Sequence, residues 1–213
     1  MVEIHGKSDK SKWRKRLVAI RDGMTPAERE NRSVQLCLLV ENEVLSPIRS
    51  RLDRPMNLCA YAPFRSEASP IPLMERCWEK GDRIYAPRII PGGEGMELRK
   101  VEDMSDWIPG KWGVPEPDPT RTDLMDVSLT LDVVLVPGIA YNTNGARLGY
   151  GGGYYDRLYA GVGRTSDATA TLWIGFAFSD QVITEPLPLE RHDLRLNGVA
   201  TEERFIWFDE GEA

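Results

Sequence analysis

The chain has 213 residues, a formal net charge of −6 at pH 7 and an apolar fraction of 41%. That composition supports one sizeable core, and the acidic balance argues against general nucleic-acid binding. No apolar run is long enough for a transmembrane helix, and the polar, basic start lacks the apolar core of a secretory signal, so a cytoplasmic protein with no membrane partner is expected.

Residues 7–21 hold Lys7, Lys10, Lys12, Arg14, Lys15, Arg16 and Arg21 against Asp9 alone. Trp13, Leu17 and Ile20 recur at helical spacing and predict a helix with one apolar stripe. At about 100° per residue, Lys10, Arg14 and Arg21 fall within about 40° of one another and border that stripe. A solvated basic face is one account; an electropositive rim that completes an anion site is the other. Lys12, Lys15 and Arg16 point elsewhere. Thr25-Pro26-Ala27-Glu28 reads as a capping box with proline at the first helical position. The helix it opens is expected to run toward Leu45, with Val34, Leu38 and Leu45 near one face, and to stop before Pro47. Residues 48–55 then read as a polar surface connection.

Residues 56–61 predict a short strand, followed by a loop that carries Glu67. Ligands gather at the carboxyl ends of strands in open α/β sheets, so Glu67 stands where a site would be, or is simply a surface carboxylate. Ser69-Pro70 opens a helix with Ile71, Met74 and Trp78, closed by Gly81, and residues 82–90 form the next strand of a right-handed βαβ unit. Residues 91–95 read as a turn and 96–101 as an edge strand. Residues 107–119, rich in Gly and Pro, are expected to be irregular. Within them Trp112 is either a loop anchor or a stacking platform for a flat heterocycle. Cys37, Cys59 and Cys77 are odd in number, widely spaced and set in apolar patterns. They predict buried free thiols rather than disulfides or a metal cluster.

Residues 131–141 form an apolar, β-branched run that predicts one buried strand. Residues 145–157, Gly-Ala-Arg-Leu-Gly-Tyr-Gly-Gly-Gly-Tyr-Tyr-Asp-Arg, follow it and lead into a helix. The stretch contains no GxxxxGK[ST], and G-x-G-x-x-G fails because Tyr154 stands at the last position. A tight turn would need glycine for its own sake. Arg147, the Tyr154-Tyr155 pair and Asp156 favour a phosphate site built from exposed amides and a helix N-terminus. Beyond a connection at residues 161–168, residues 172–178 predict another buried strand and residues 199–208 a last one. Between them, residues 185–188 break regularity, and His192 reads as structural rather than catalytic. With His5 and His192 as the only histidines, no His/Cys metal cluster can form. Any metal must be a hard cation such as Mg²⁺, held by oxygens and phosphate, with Asp156 and Asp193 as candidates.

Over about residues 8–206 the chain resembles the 5-formyltetrahydrofolate cyclo-ligase family. The most specific stretch is residues 136–157. Lys10-x-x-x-Arg14, the Glu67 loop, Tyr-Ala-Pro87-Arg88, Trp112-Gly-Val-Pro115 and His192-Asp193 occur in the family's order. The resemblance implies one domain over residues 1–213, a three-layer α/β/α fold with a mostly parallel sheet, and a basic helix at residues 8–22 that contributes to the nucleotide site. It implies ATP- and Mg²⁺-dependent conversion of 5-formyltetrahydrofolate, with or without a polyglutamate tail, to 5,10-methenyltetrahydrofolate by a monomer. It implies ATP contacts at Lys10, Ser11, Lys12, Trp13, Arg14, Arg147, Leu148, Gly149, Tyr150, Gly151, Gly152, Gly153, Tyr154 and Tyr155, with catalytic roles for Arg147 and Tyr154. It further implies substrate contacts at Glu67, Trp112 and Tyr154, and metal positions at Asp156 and Asp193. Asn142 replaces the family's usual Asp, and Pro70 stands where a hydroxyl residue is usual. These departures keep a second reading open: a nucleotide-binding paralogue with another ligand or no turnover. An interaction module docking through the basic helix would leave residues 147–156 unexplained.

Overall fold

The structure is a computed structural model that describes residues 4–92, 95–162, 171–187 and 193–208; His192 lies outside them. The chain opens with α1 (Ile4–Gly23) and α2 (Pro26–Val40), and α2 continues through a π-helical turn (Glu41–Leu45) into α3 (Ser46–Arg49). There follow β1 (Asn57–Cys59), α4 (Ile71–Glu79), β2 (Arg83–Ile89), β3 (Met96–Val101), and the short strands β4 (Trp107–Pro109) and β5 (Pro115–Pro117). The second half holds β6 (Val133–Val136), β7 (Ala140–Asn142), β8 (Arg147–Leu148), α5 (Tyr154–Val162), β9 (Leu172–Phe176), β10 (Val182–Ile183), β11 (Gly198–Ala200) and β12 (Phe205–Trp207).

Seven strands form the main sheet in the order β12-β11-β9-β6-β1-β2-β3. The five inner strands are parallel, and β3 and β12 close the edges antiparallel. Alternate residues of one strand serve opposite layers, as the pleat requires. Leu58, Ile84, Val133, Leu135 and Ile174 pack with Leu36, Val40, Leu73 and Met74 of α2 and α4. Cys59, Tyr85, Val134, Val136 and Trp173 pack on the other face, where α5 supplies Tyr155, Leu158 and Val162. This is the expected three-layer α/β/α arrangement. The three cysteines are free and buried, and burial pushes each thiol up to about 12.

Strand order reverses between β1 and β6: the chain proceeds from β1 to β2 on one side, and from β6 to β9 and β11 on the other. Such a switch point leaves a crevice at the carboxyl ends of the two strands. The Glu67 loop follows β1, and the Pro137-Gly138 step follows β6.

Several elements differ from the sequence expectation. Residues 131–141 are not one strand. β6 ends at Val136, and β7 belongs to a separate three-stranded sheet, β10-β7-β8. Pro137 has no N–H for a ladder, and a Cβ at Gly138 would stand 2.8 Å from the Tyr141 ring and hydroxyl, so the chain turns there. The second helix does not stop before Pro47. The π-turn leaves Pro47 in the first turn of α3, where its missing N–H is tolerated. Its buried face is Ser33, Leu36, Cys37 and Val40, while Leu38 is exposed. Thr25 caps α2, its Oγ1 accepting the Glu28 N–H at 3.2 Å. Arg49 is no surface arginine; it joins buried Glu41 and Asp82, at 2.9 and 2.6 Å. Residues 107–117 form the small antiparallel hairpin β4–β5 instead of irregular chain, and the last expected strand is two, β11 and β12.

Gly175 of β9 faces Tyr141, and a Cβ there would stand 2.6 Å from Tyr141 Cε1 and 3.0 Å from Val199 Cγ2. The Tyr141 hydroxyl donates to the Val136 carbonyl at 2.7 Å, so the ring cannot swing away without losing that bond. Gly175→Ala is therefore expected to cost about 1–3 kcal/mol, read as a lower urea midpoint at unchanged slope. An unchanged midpoint would mean that the ring yields.

Candidate functional site

α1 docks on the small sheet. Leu17, with Trp13 and Val18 beside it, packs on Ile139, Ala140, Ala146, Leu148, Ile183 and Leu187. Ile20, expected in this stripe, is 41% exposed, and the buried position is Arg21 at 2%. Leucine docking thus turns the Lys10–Arg14–Arg21 row inward, toward the switch point. Lys10 and Arg14 are half-buried, whereas Ser11, Lys12, Lys15 and Arg16 are exposed. Trp13 lies under the Arg16 guanidinium, 5.3 Å from its ring centroid.

Arg14 Nε donates to the Gly149 carbonyl at 2.8 Å, so α1 lies directly across the glycine loop. Gly151 and Gly153 take φ of 101° and 63°, a left-handed backbone that glycine adopts freely. Arg14 Nη2 lies 3.4 Å from where a Cβ of Gly151 would stand, an ordinary contact distance, so it is the backbone angle that asks for glycine there. α5 begins at Tyr154, whose ring is covered by the Arg157 guanidinium at 4.9 Å.

Arg147 lies beneath the loop rather than open to it. Its Nη1 donates to the Pro137 carbonyl at 3.1 Å and its Nη2 to Asp156 Oδ1 at 3.2 Å. The guanidinium stands over the Tyr155 ring, 5.7 Å from its centroid, and Nε is buried without a partner. A Cβ at Gly149 would meet Arg147 Nη1 at 2.9 Å, so loop and guanidinium touch. Asp156 Oδ1 also accepts the Leu194 N–H at 3.0 Å. That bond brings Asp193, the preceding residue, to the same corner as Asp156.

Glu67 Oε2 accepts the Phe64 N–H at 3.0 Å, and the Tyr150 hydroxyl is a near neighbour of its carboxyl. Burial raises the Glu67 carboxyl above the usual carboxylate range, against the lowering pull of the Phe64 N–H, Arg21 and Tyr150. Burial likewise raises the Tyr150 phenol, and the neighbouring Glu67 adds to the shift. Arg21 holds this centre together: Nε donates to Ser66 Oγ at 3.0 Å, Nη2 to the Tyr150 hydroxyl at 2.6 Å and Nη1 to the Gly138 carbonyl at 3.5 Å. Ser66 in turn donates to Asp22. The Gly138 carbonyl also receives Gln181 Nε2 at 2.8 Å. Trp112 is carried separately, between β4 and β5, at a φ of 58° and 67% exposed.

Arg14, Arg147, Tyr150, Asp156 and Glu67 thus gather around the switch point, with Lys10 half-buried in the same row of α1, and Arg21, Ser66 and Gly138 join them. Of the last three, only Arg21 carried a sequence signal, its place in the basic row. Asn142, the departure from the family's Asp, is a turn residue. Its Oδ1 accepts the N–H groups of Asn144 and Ala146 at 3.0 and 2.9 Å, closing the β7–β8 hairpin.

The 5-formyltetrahydrofolate cyclo-ligase family matches residues 6–202 of this chain. The Escherichia coli K12 protein named 5-formyltetrahydrofolate cyclo-ligase is 30% identical over 151 residues, spanning 70% of this chain and 79% of that protein. The Mycolicibacterium smegmatis protein of the same name is 30% identical over 154 residues, spanning 70% and 75%. The NMR structure of Aquifex aeolicus 5,10-methenyltetrahydrofolate synthetase superposes with a TM-score of 0.72 at 25% identity, covering 96% of this chain and 95% of that one. A Mycoplasma pneumoniae 5,10-methenyltetrahydrofolate synthetase, at 18% identity and a TM-score of 0.67 over 91% of this chain and 99% of that one, shares the fold. The chain belongs to the 5-formyltetrahydrofolate cyclo-ligase family of enzymes.

Arg147 is 8% exposed at its side chain and pairs with Asp156. Arg147→Ala is expected to destabilise the fold by about 1–3 kcal/mol by leaving Asp156 and the Pro137 carbonyl short of a donor. Urea denaturation reads this directly, and an unchanged midpoint would mean that the pair contributes nothing to folding. Glu67 predicts a pH dependence. Below the ordinary carboxylate range it is protonated in both folded and unfolded chains. As pH rises, the unfolded chain ionises first, so stability falls until the raised folded value is passed. Glu67→Gln removes that loss, so the variant should gain on the wild type as pH rises above about 4, the ordinary carboxylate range. Parallel urea midpoints across that range would show that Glu67 is not held in its acid form.

Proposed function

We propose that the chain converts 5-formyltetrahydrofolate and ATP, with Mg²⁺, to 5,10-methenyltetrahydrofolate, ADP and phosphate. The observation that carries this reading is the meeting of two unlike surfaces at the switch point. One is a glycine loop crossed by Arg14 and running into a helix N-terminus; the other is the half-buried Glu67 carboxyl, whose loop is tied to the glycine loop through Ser66, Arg21 and Tyr150. The first suits phosphates, because backbone N–H groups and a guanidinium favour anions. The second suits a heterocycle whose amino and ring N–H groups donate to a carboxyl.

The formyl oxygen of an N-formyl group is a poor leaving group. Transfer of the γ-phosphoryl group of ATP to that oxygen releases ADP and leaves an iminium phosphate. The folate N10 then attacks the iminium carbon, the ring closes, N10 loses its proton and phosphate departs with the former formyl oxygen. Such chemistry asks the protein for positioning and charge rather than for a nucleophile. Arg14 and the amides of residues 149–153 would hold the triphosphate, with Lys10 at the rim of the same row. Arg147 would hold the loop from below and lend charge where phosphate oxygens gather. Glu67 would fix the pterin, Tyr154 would lie between the two ligands, and the exposed Trp112 would offer a stacking face.

The donors at Asp156 and Asp193 fit a hard, oxygen-seeking cation. Asp156 keeps Oδ2 outside the bonds that occupy Oδ1, and Mg²⁺ commonly takes one or two carboxylates while phosphates and waters complete its shell. Bound there, the ion would neutralise phosphate charge. Asn142 gives the paralogue reading no support, since its side chain is committed to a turn.

An absorbance assay tests the reading. Protein, 5-formyltetrahydrofolate, Mg²⁺ and ATP should produce the near-ultraviolet band of the methenyl product, and omission of ATP should abolish it. A flat trace from folded, ATP-binding protein would sink the proposal. In the same assay, Glu67→Gln should raise the folate KM about tenfold or more while moving the ATP KM far less, the loss of one charged hydrogen-bond acceptor. Equal effects on both would remove Glu67 from the pterin site.

A further inference from the structure

Arg21 has three partners, each on a different segment of the crevice. Ser66 lies in the loop after β1, Gly138 in the step after β6, and Tyr150 in the glycine loop. The side chain is 2% exposed, so its charge is withdrawn from water and its bonds must be made within the protein. The Tyr150 ring is 52% exposed, yet its hydroxyl is held by the Arg21 guanidinium, which also holds Ser66, the residue before Glu67. The two surfaces that would receive the two ligands are therefore joined through one guanidinium.

We infer that Arg21 and the Tyr150 hydroxyl form a positioning bridge between the glycine loop and the Ser66-Glu67 loop, through which binding of either ligand strengthens binding of the other. The inference rests on the proposed function and extends it from two sites to a coupled pair. Neither group need touch the reacting atoms. A nucleotide that orders residues 149–153 fixes the Tyr150 hydroxyl and, through Arg21, the Ser66-Glu67 segment, so that the Glu67 carboxyl is ready for the pterin. A pterin that fixes Glu67 orders the loop in return. The ordering cost is met once for two ligands, and linkage makes the effect reciprocal. Arginine suits the role because its planar fork addresses three acceptors at once, which a lysine ammonium at the end of a flexible stem does not.

The test measures the dissociation constant of 5-formyltetrahydrofolate with and without saturating Mg²⁺ and a non-hydrolysable ATP analogue. It uses the full-length wild type, Tyr150→Phe and Arg21→Lys. The wild type should bind the folate about fivefold or more tighter with the analogue present. Tyr150→Phe keeps the ring and removes only the bridging hydroxyl, so its ratio should fall to below about twofold. Arg21→Lys should do the same, and if it fails to fold, the milder Tyr150→Phe still decides. Hydrogen exchange gives a second readout, since the folate alone should slow the amides of residues 149–153 in the wild type and not in Tyr150→Phe. A wild-type ratio of one, or an undiminished ratio in Tyr150→Phe, would overturn the bridge. If turnover persists in either case, the proposed function stands without it. A wild type that binds no folate would overturn both.

Discussion

β1 and β6 lie side by side and parallel, so their carboxyl ends open on the same edge of the sheet, yet the chain leaves them in opposite directions. Loops that diverge cannot cover the gap between them. A crevice is forced by the strand order, before any side chain is considered. What then fills its floor must satisfy the backbone groups exposed there. The Gly138 carbonyl, stranded where the strand run breaks, receives Gln181 and Arg21. The Ser66 hydroxyl receives Arg21 as well. The buried guanidinium is the piece that closes this accounting, and it can sit there only because α1 delivers it. Each of its three nitrogens, expensive to strip of water, meets a fixed acceptor from loops that would otherwise be held by nothing in common.

α1 itself depends on the small sheet. If residues 131–141 ran on as one strand, no platform would remain for Leu17 and Trp13. Pro137 and Gly138 prevent that, and the turn they make swings β7 out to pair with β8 and β10. Tyr141 locks the turn. Its hydroxyl reaches back to the Val136 carbonyl, and its ring occupies the space left by the missing side chains of Gly138 and Gly175. A change in any of these three residues would therefore act at a distance. The glycine loop is carried on β8, and its position relative to α1 is set by this packing.

Local signals in the sequence reached far. Apolar and β-branched runs located β1, β2, β6 and β9, proline and glycine marked the limits of α4, and glycines before Tyr154-Tyr155 located the loop-to-helix junction. The basic row of α1 was legible as geometry, since Lys10, Arg14 and Arg21 share one side of any helix. What stayed hidden depended on tertiary partners. Arg21 reads as a solvated cation until Ser66, Gly138 and Tyr150 are seen around it, whereas Ile20 reads as core and is exposed. The break after Val136 is invisible to hydrophobicity because both halves are buried, in different sheets. Arg49 looks like a surface loop residue because the π-turn that carries the helix past Pro47 has no simple sequence signature. Residues 107–117 read as irregular because prolines normally spoil a strand; here two-strand pairing at the edge tolerates them.

The charge balance beneath the loop bears on how such a loop could select a phosphate. Arg147 is the most conspicuous cation in the motif, but its charge is largely answered by Asp156 at 3.2 Å. With that pair intact, the attraction felt above the loop comes from Arg14, the loop amides and the N-terminus of α5, all oriented in advance. An anion settling there competes for Arg147, whose buried Nε has no other partner. A cation settling beside Asp156 competes from the other side. Each would loosen the pair in the direction that favours the other, because every charge taken from Arg147 or Asp156 frees its opposite. In the proposed reaction a magnesium-bound triphosphate brings both charges together, so the ion pair favours the complete ligand over either half. Free phosphate, which offers no cation, would have to leave Asp156 with the Leu194 N–H and no counter-charge to gain the same contact. Discrimination of this kind follows from desolvation alone, since an unmatched carboxylate in a half-buried corner costs more than the single hydrogen bond gained by breaking its partner away.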